Sequence, residues 1–262
     1  MFTQYRGAPA LSLVKLDPTT GAMDTAFASE GFSGDVEGIV VTNGSVYVAG
    51  SFSLYGTTPA LDIVKVDAAT GAVDTTFVPG PDHELHGFND RALSIALVGG
   101  ALWLGGNFTV YGGHDVGRLA KLDDTFAVDT TFTPPNTPAF DDGRVLALAA
   151  AGSSLYVGGW FSAYRGVADS AHGLAKLDWN TGAIDTTFSP PGSTSNGFVL
   201  TNVDQVSALV VAGASLYSSP RTAASRIPRT GSPSSTSPVV RSTRRSARPA
   251  RRPTASTAPC PR

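Results

Sequence analysis

Apolar positions in the first 217 residues come in short runs, and four kinds of run recur in a fixed order. They read VLALAA-like, LYVGGWF-like, LAKLD-like and AIDTTF-like, with Gly, Asn, Asp and Pro between them. Runs rich in Val, Leu, Tyr, Phe and Thr and bounded by turn formers predict β-strands. No stretch sustains a 3.6-residue period, so no helix is predicted. The last two runs form one line written four times, opening at Leu13, Ile63, Leu119 and Leu174 and closing at Phe27, Phe77, Phe132 and Phe188. The closing rings are 50, 55 and 56 residues apart. The second run opens at Gly44, Gly100 and Gly152, and a fifth copy at Gly213 stops matching after Tyr217. Eight residues before the ring of each copy (Tyr47, Trp103, Tyr156, Tyr217) stands an aliphatic: Ile39, Ile95, Leu148 or Leu209.

Four antiparallel strands in a unit of this length predict a propeller blade. The expected fold is all-β: a propeller-like array of four-stranded antiparallel blades, about four units, forming an incomplete ring. Ala69-Thr70-Gly71 and Asn180-Thr181-Gly182 place glycine where a tight hairpin needs positive φ. The Gly-Gly pairs at 105–106 and 158–159 predict a bulge or a close backbone approach. Tyr5-Arg6-Gly7 aligns with Tyr164-Arg165-Gly166, so the chain is expected to begin inside a unit.

The run GGNFTVYGG…LAKLD…VDTTF…PP carries a Gly-Phe step at Gly31-Phe32, Gly87-Phe88 and Gly197-Phe198, with Ala139-Phe140 in the remaining copy. In this it resembles the delta-60 repeat, a bacterial β-propeller repeat of unassigned function. The likeness covers about residues 1–217. It implies a part of a large secreted or cell-surface protein and brings no catalytic residues. A weaker likeness is to quinoprotein-type propeller repeats, which share the LDxxTG hairpin. This chain lacks the tryptophan those repeats place after it.

Charge divides the chain in two. Residues 1–217 carry 9 basic and 21 acidic residues, a net of −12, while residues 218–262 carry 10 arginines and no acid. The second part has no aromatic residue and is dominated by Ser, Pro, Thr, Ala and Arg. One reading is a disordered basic tail that touches nucleic acid or an acidic surface. The other is a reading-frame shift. With codons started at the third base, Ser232, Pro233, Ser235-Thr236, Ser242-Thr243 and Ser246 can become Leu, Ala, Leu-Asp, Val-Asp and Phe. Those offsets reproduce Leu174, Ala175, Leu177-Asp178, Ile184-Asp185 and Phe188, although the Gly-Gly that should follow Tyr217 is not recovered. The frame shift is the expectation adopted, and with it no nucleic-acid partner.

The only cysteine, Cys260, lies in that tail, which leaves the repeats without disulfides or cysteine-bound metal. No apolar run reaches membrane-spanning length, so no membrane insertion is expected. His83 and His86, with Asp82 and Glu84 around them, could ligate a metal, but an insertion loop with solvated side chains is the better reading. His114 and His172 stand apart. The repeated acids Asp17, Asp67, Asp123 and Asp178, and Asp24, Asp74, Asp129 and Asp185, could in pairs run glycoside hydrolysis. Recurring in every unit, they read as turn and strand-end devices, and the neighbouring acids Asp141 and Asp142 are weaker candidates still. Lys15, Lys65, Lys121 and Lys176 are expected to lie over the blade or pair with those acids. Tyr55, Tyr111 and Tyr164, with Phe32, Phe88, Phe140 and Phe198, could stack on sugars but are expected to wedge between blades. Asn107-Phe108-Thr109 fits a glycosylation acceptor, yet belongs to the repeated motif.

No catalytic, cofactor-binding or metal residue is therefore assigned, and no cofactor is expected. The expected function is a non-enzymatic binding or scaffold module, extracellular or on the cell surface. A protein or glycan ligand would be met by the inter-blade loops 28–35, 78–90, 133–143 and 189–203. The alternative is a polysaccharide hydrolase or lyase using carboxylates in the central channel.

Overall fold

The repeated line of sequence folds into a repeated sheet. The computed structural model describes residues 2–77, 87–123, 126–132, 138–140, 142–167, 170–188 and 204–222. The first unit contributes a two-residue hairpin, β1 (Gln4–Tyr5) with β2 (Ala8–Pro9), followed by the LVKLD line. The second holds β3 (Asp35–Thr42), β4 (Ser45–Ser51), the small hairpin β5 (Leu54–Tyr55) and β6 (Thr58–Pro59), and β7 (Ile63–Asp67). The third repeats this as β8 (Ala92–Val98), β9 (Ala101–Gly106), β10 (Val110–Tyr111), β11 (His114–Asp115) and β12 (Leu119–Leu122). The fourth has β13 (Arg144–Ala151), β14 (Ser154–Trp160) and β15 (Leu174–Asp178). The fifth has β16 (Asp204–Ala212) and β17 (Ser215–Thr222), a strand that crosses the compositional break after Tyr217.

Every pairing is antiparallel, and the three central units share the orders β3-β4-β7, β8-β9-β12 and β13-β14-β15. The array is all-β and propeller-like, and a single 3-10 turn at Thr75–Phe77 is the only helical element among the described residues. The fourth segment of each unit joins by one bridge only: Leu16 with Met23, Val66 with Val73, Leu122 with Val128 and Leu177 with Ile184. The small hairpin between the second and third strands was not foreseen from the sequence.

Consecutive units meet through their first strands, β3 against β8, β8 against β13 and β13 against β16. Each first strand carries a bulge at the same place, between Val36 and Gly38, Ala92 and Ser94, Val145 and Ala147, and Val206 and Ala208. The Gly-Gly pairs lie opposite these bulges and each glycine has its own reason. A Cβ on Gly106 or Gly159 would sit 2.1 Å from the carbonyl oxygen of Arg91, just before β8, or of Arg144, the first residue of β13. A Cβ on Gly105 or Gly158 would sit 2.3 or 2.7 Å from Cγ1 of Val145 or Val206 on the next unit. Where the second unit has Ala49 instead of glycine, the next unit has Ala92 instead of valine, and both alanines are fully buried in one cluster. Side-chain volume is thus matched across each seam, as close packing demands.

Candidate functional site

The groups most able to do chemistry recur in every unit, so their surroundings decide what they can do. The aspartate of the DTTF line uses both carboxylate oxygens. Oδ2 of Asp24, Asp74, Asp129 and Asp185 accepts the ammonium of Lys15, Lys65, Lys121 and Lys176 at 2.7–2.9 Å. Oδ1 accepts the backbone N–H two residues on, from Ala26, Thr76, Thr131 or Thr187, and in three units the threonine hydroxyl as well. The Asx turn is why this segment makes one bridge and leaves the sheet. For Asp74 and Asp185 the lysine bond, reinforced by threonine, holds the carboxyl down to about 2. At Asp129 burial alone would raise it, yet Lys121 and Thr131 bring it to about 2. An acid fixed in its ionised form cannot serve as a proton donor near neutral pH.

The aspartate of the LDxxTG line is a turn device. Oδ1 of Asp17, Asp67 and Asp178 accepts the N–H groups two and three residues on, plus the hydroxyl of Thr20, Thr70 or Thr181. These bonds lower its pKa, led in Asp17 and Asp178 by the threonine backbone and in Asp67 by the threonine hydroxyl. Gly21, Gly71 and Gly182 close the same turns at φ of 65°, 78° and 70°. In the third unit Asp123 accepts from Ala127 instead.

The recurrent tyrosines are staples. The hydroxyls of Tyr5, Tyr55 and Tyr164 donate to the carbonyl oxygens of Gly21, Gly71 and Gly182 at 2.9, 2.6 and 2.6 Å, and Tyr111 to Phe126 at 3.2 Å. Tyr55, Tyr111 and Tyr164 are buried, which pushes their phenols upward. Each meets one phenylalanine, Phe32, Phe88 or Phe140, at 4.6–5.1 Å, and that ring in turn meets a second, Phe52, Phe108 or Phe161, at 4.1–4.7 Å. All six phenylalanines are buried, so none offers a face to a sugar. Phe198 lies outside the described residues.

Segments expected to be ligand loops prove partly structural. Oγ of Ser33 accepts the N–H groups of Ser53 and Leu54, and Oδ1 of Asn89 those of Thr109 and Val110. Asp142 accepts the N–H and hydroxyl of Ser162. Three different side chains thus tie down the same small hairpin. Loop positions 78–86, 133–137, 141 and 189–203 lie outside the described residues, and with them Asp82, His83, Glu84, His86 and Asp141. Asn107 and Phe108 are structural too. Asn107 accepts a bond from Arg118 on its backbone oxygen at 2.6 Å, and Phe108 is fully buried.

Two features have no counterpart in other units. Asp62 occupies the position before the third strand where Ser12, Arg118 and Gly173 stand elsewhere, all four with φ of 63–69°. Burial raises its carboxyl to about 6, against the bond it accepts from the Phe52 N–H, with Asp90 adding to the rise and Arg91 opposing it. Trp179 edges a cleft of about 520 Å³ between the third and fourth units, together with Asp123, Asn180 and the Lys121–Asp129 pair. Its ring lies on Gly99, where a Cβ would come within 2.3 Å, and its Nε1 donates to the Gly152 carbonyl. The indole therefore clamps the seam.

These features define a repeat whose core can be compared with known families. Residues 42–77 match a β-propeller family, the domain of unknown function DUF5122. The DUF5122 match runs from the β3–β4 turn to Phe77, so it takes in the tyrosine staple, the LDxxTG turn and the Lys65–Asp74 pair. It agrees with the propeller resemblance read from the sequence. No curated protein matches the chain. Solved structures similar in outline include the crystal structure of the computationally designed Ika4 protein, at 14% identity over 74% of this chain and 91% of that one, with a TM-score of 0.37. Another is that of the computationally designed Ika8 protein, at 15% identity over 78% and 48%, also with a TM-score of 0.37. Of the residues sequence reasoning singled out, the lysines come together with Asp24, Asp74, Asp129 and Asp185 as pairs. Asp62 was missed, and its one signal is an acid at a position that is not acidic in any other unit. Among the described residues no group of three or more His, Cys, Asp or Glu could hold a metal ion, and no helix is long and apolar enough to cross a membrane.

Proposed function

We propose that this propeller array is a non-enzymatic binding or scaffold module of a larger secreted or cell-surface bacterial protein, built from delta-60-type repeats over residues 1–217. The observation that carries the reading is the occupancy of the recurrent groups: carboxylates, ammonium groups and phenols are all committed to holding turns and seams. Sequence freedom is left to the loops within 78–90, 133–143 and 189–203, where a repeat scaffold places recognition of a protein or glycan. The test is a glycan and protein array probed with the chain, then with variants in which each loop is replaced by a Gly-Ser segment. Retention without turnover, lost with one loop replacement, supports the reading. Release of reducing ends from a polysaccharide refutes it.

The hydrolase or lyase alternative rests on Asp62, the acid whose pKa lies in a range suited to proton transfer. Polysaccharide cleavage abolished by Asp62→Asn would favour it over the binding module.

A further inference from the structure

The seam between the third and fourth units differs from the others at two positions that fit each other. The turn between the first and second strands reads Asn43-Gly44, Gly99-Gly100, Gly152-Ser153 and Gly213-Ala214, so only the third unit has two glycines there. The residue after the LD aspartate is Pro18, Ala68, Asp124 or Trp179, so only the fourth unit has a ring there. The benzo ring of Trp179 lies where a Cβ on Gly99 would come within 2.3 Å, and the bare glycine is what admits it. Its Nε1 donates to the Gly152 carbonyl at 3.2 Å. With two turns holding it, the indole is fixed in place.

The same indole edges the cleft of about 520 Å³, which lies within the range of about 300–1,000 Å³ typical of small-ligand sites. Gly100 leaves part of the wall bare, since a Cβ there would meet nothing within 4 Å. Asp123, Asp129, Lys121 and Asn180 place carboxylate, ammonium and amide groups around it. Lys121 is only 7% exposed; its ammonium meets Asp129 at 2.7 Å and lies 5.6 Å from the centre of the Trp103 ring. Asp129 is held in turn by the N–H and hydroxyl of Thr131, and Asp123 by the N–H of Ala127. Groups committed to the fold in this way present their remaining lone pairs and protons in set directions, so a ligand has little ordering cost to meet.

We propose that this cleft binds one hexose residue of a neutral glycan. A hexose carries hydroxyls that both donate and accept, on a ring with an apolar face. The carboxylates of Asp123 and Asp129 take donors, the ammonium of Lys121 and the amide of Asn180 meet acceptors, and the flat indole of Trp179 suits the apolar face. Charge sets the class of sugar. Two carboxylates against one ammonium leave the cleft acidic, which repels uronate, sulfate and phosphate groups, while Lys121 among the walls opposes a cationic sugar. The inference rests on the binding-module reading, but places the sugar on the strand turns and not in the variable loops.

The test titrates the full chain with maltose, cellobiose, mannobiose and lactose, followed by tryptophan fluorescence and by the heat of binding. At least one should bind saturably, and more tightly than digalacturonate or the chitosan dimer. Ala101→Phe, which fills the cleft from β9, should weaken that binding more than about tenfold with the melting temperature unchanged. Asn180→Ala should weaken it severalfold, again without a change in melting. Trp179→Phe gives up the N–H bond to Gly152 but keeps a ring, so it should melt lower and still bind; Trp179→Ala should lose binding. A wild type that binds none of the four disaccharides overturns the proposal, as does tightest binding of digalacturonate or the chitosan dimer. A neutral disaccharide bound equally by the wild type and Ala101→Phe overturns it too, while leaving the binding module standing, because the loop replacements decide that reading separately.

Discussion

Gly105 gives the sharpest test of how the units are joined. It does not lie in the left-handed region, so Gly105→Ala carries no backbone penalty and on entropy alone would stabilise by about 0.4–1 kcal/mol. Its Cβ, however, would stand 2.3 Å from Cγ1 of Val145 across the seam and 2.6 Å from Oγ of Ser94 on the paired strand. Overpacking of this kind costs about 1–3 kcal/mol, so the net expected loss is about 1–2 kcal/mol. Val145→Ala removes two fully buried methyl groups, about 1.6 kcal/mol by transfer, and leaves a cavity beside a glycine that cannot fill it, bringing the loss to about 2–3 kcal/mol. The double variant recreates the Ala49/Ala92 seam and should cost only about 1–2 kcal/mol, a coupling of about 2 kcal/mol. Adding Ser94→Gly, the residue that stands opposite Ala49 in the second unit as Gly38, should recover most of the remainder. Urea unfolding of the four proteins at a common slope measures the cycle. Additivity within about 0.5 kcal/mol would refute the claim that volume is matched across the seam.

Other predictions concern charge and the staples. Asp62 is raised in the folded protein above its unfolded value, so it binds a proton more readily when folded. Its contribution favours folding at low pH and is lost as pH rises through about 4 to 6. Asp62→Asn keeps the acceptor for the Phe52 N–H and should stabilise at pH 7 by ~1 kcal/mol after allowing for solvent screening, with no gain at pH 4; equal effects at both pH values would contradict the assignment. Asp74, Asp129 and Asp185 are held low, so their contribution is present above about pH 4 and fades as pH falls toward 2, which an acid titration of the melting temperature should show. Asp129→Ala should destabilise by about 1–3 kcal/mol, because it strands the buried Lys121, whereas Asp24→Ala beside the exposed Lys15 should cost clearly less. Tyr164→Phe strands the Gly182 carbonyl and should cost about 1–2 kcal/mol by thermal or urea unfolding; a change near zero would remove the staple from the account.

What the sequence made legible is whatever a side chain does locally. The Asx turns at Asp17, Asp67 and Asp178 and the glycines that close them could be read because spacing and residue type specify the turn. The first three strands of each unit could be read because their apolar runs lie between such turns. The fourth segment misled: Asp24, Asp74, Asp129 and Asp185 bind their own following N–H groups and turn the chain out after a single bridge. The small hairpins were hidden because Leu54-Tyr55 and Val110-Tyr111 look like loop residues until their rings are seen buried. Least legible was the left-handed position before the third strand, where Ser12, Asp62, Arg118 and Gly173 share a conformation and no chemistry. There the backbone is set by bonds to the end of the second strand and the residue beyond it, such as the Gly50 N–H to the Asp62 carbonyl and the Asp62 N–H to the Phe52 carbonyl. The reading of the carboxylates as structural followed from their recurrence, while the state of Asp62 depends on burial, which one repeat line cannot reveal.

The matched volumes at the seams bear on how such an array can change by duplication. A unit copied whole to another position carries its own first-strand residue to a foreign partner: the fourth unit moved behind the second would set Val145 against Ala49. The piece that transplants cleanly is the second half of one blade with the first strand of the next, which travel with their fit intact. That piece is also nearer to the frame in which the sequence repeats, since the family match begins at the β3–β4 turn and not at a first strand. The heritable module of this architecture is therefore offset from the blade the eye would cut out.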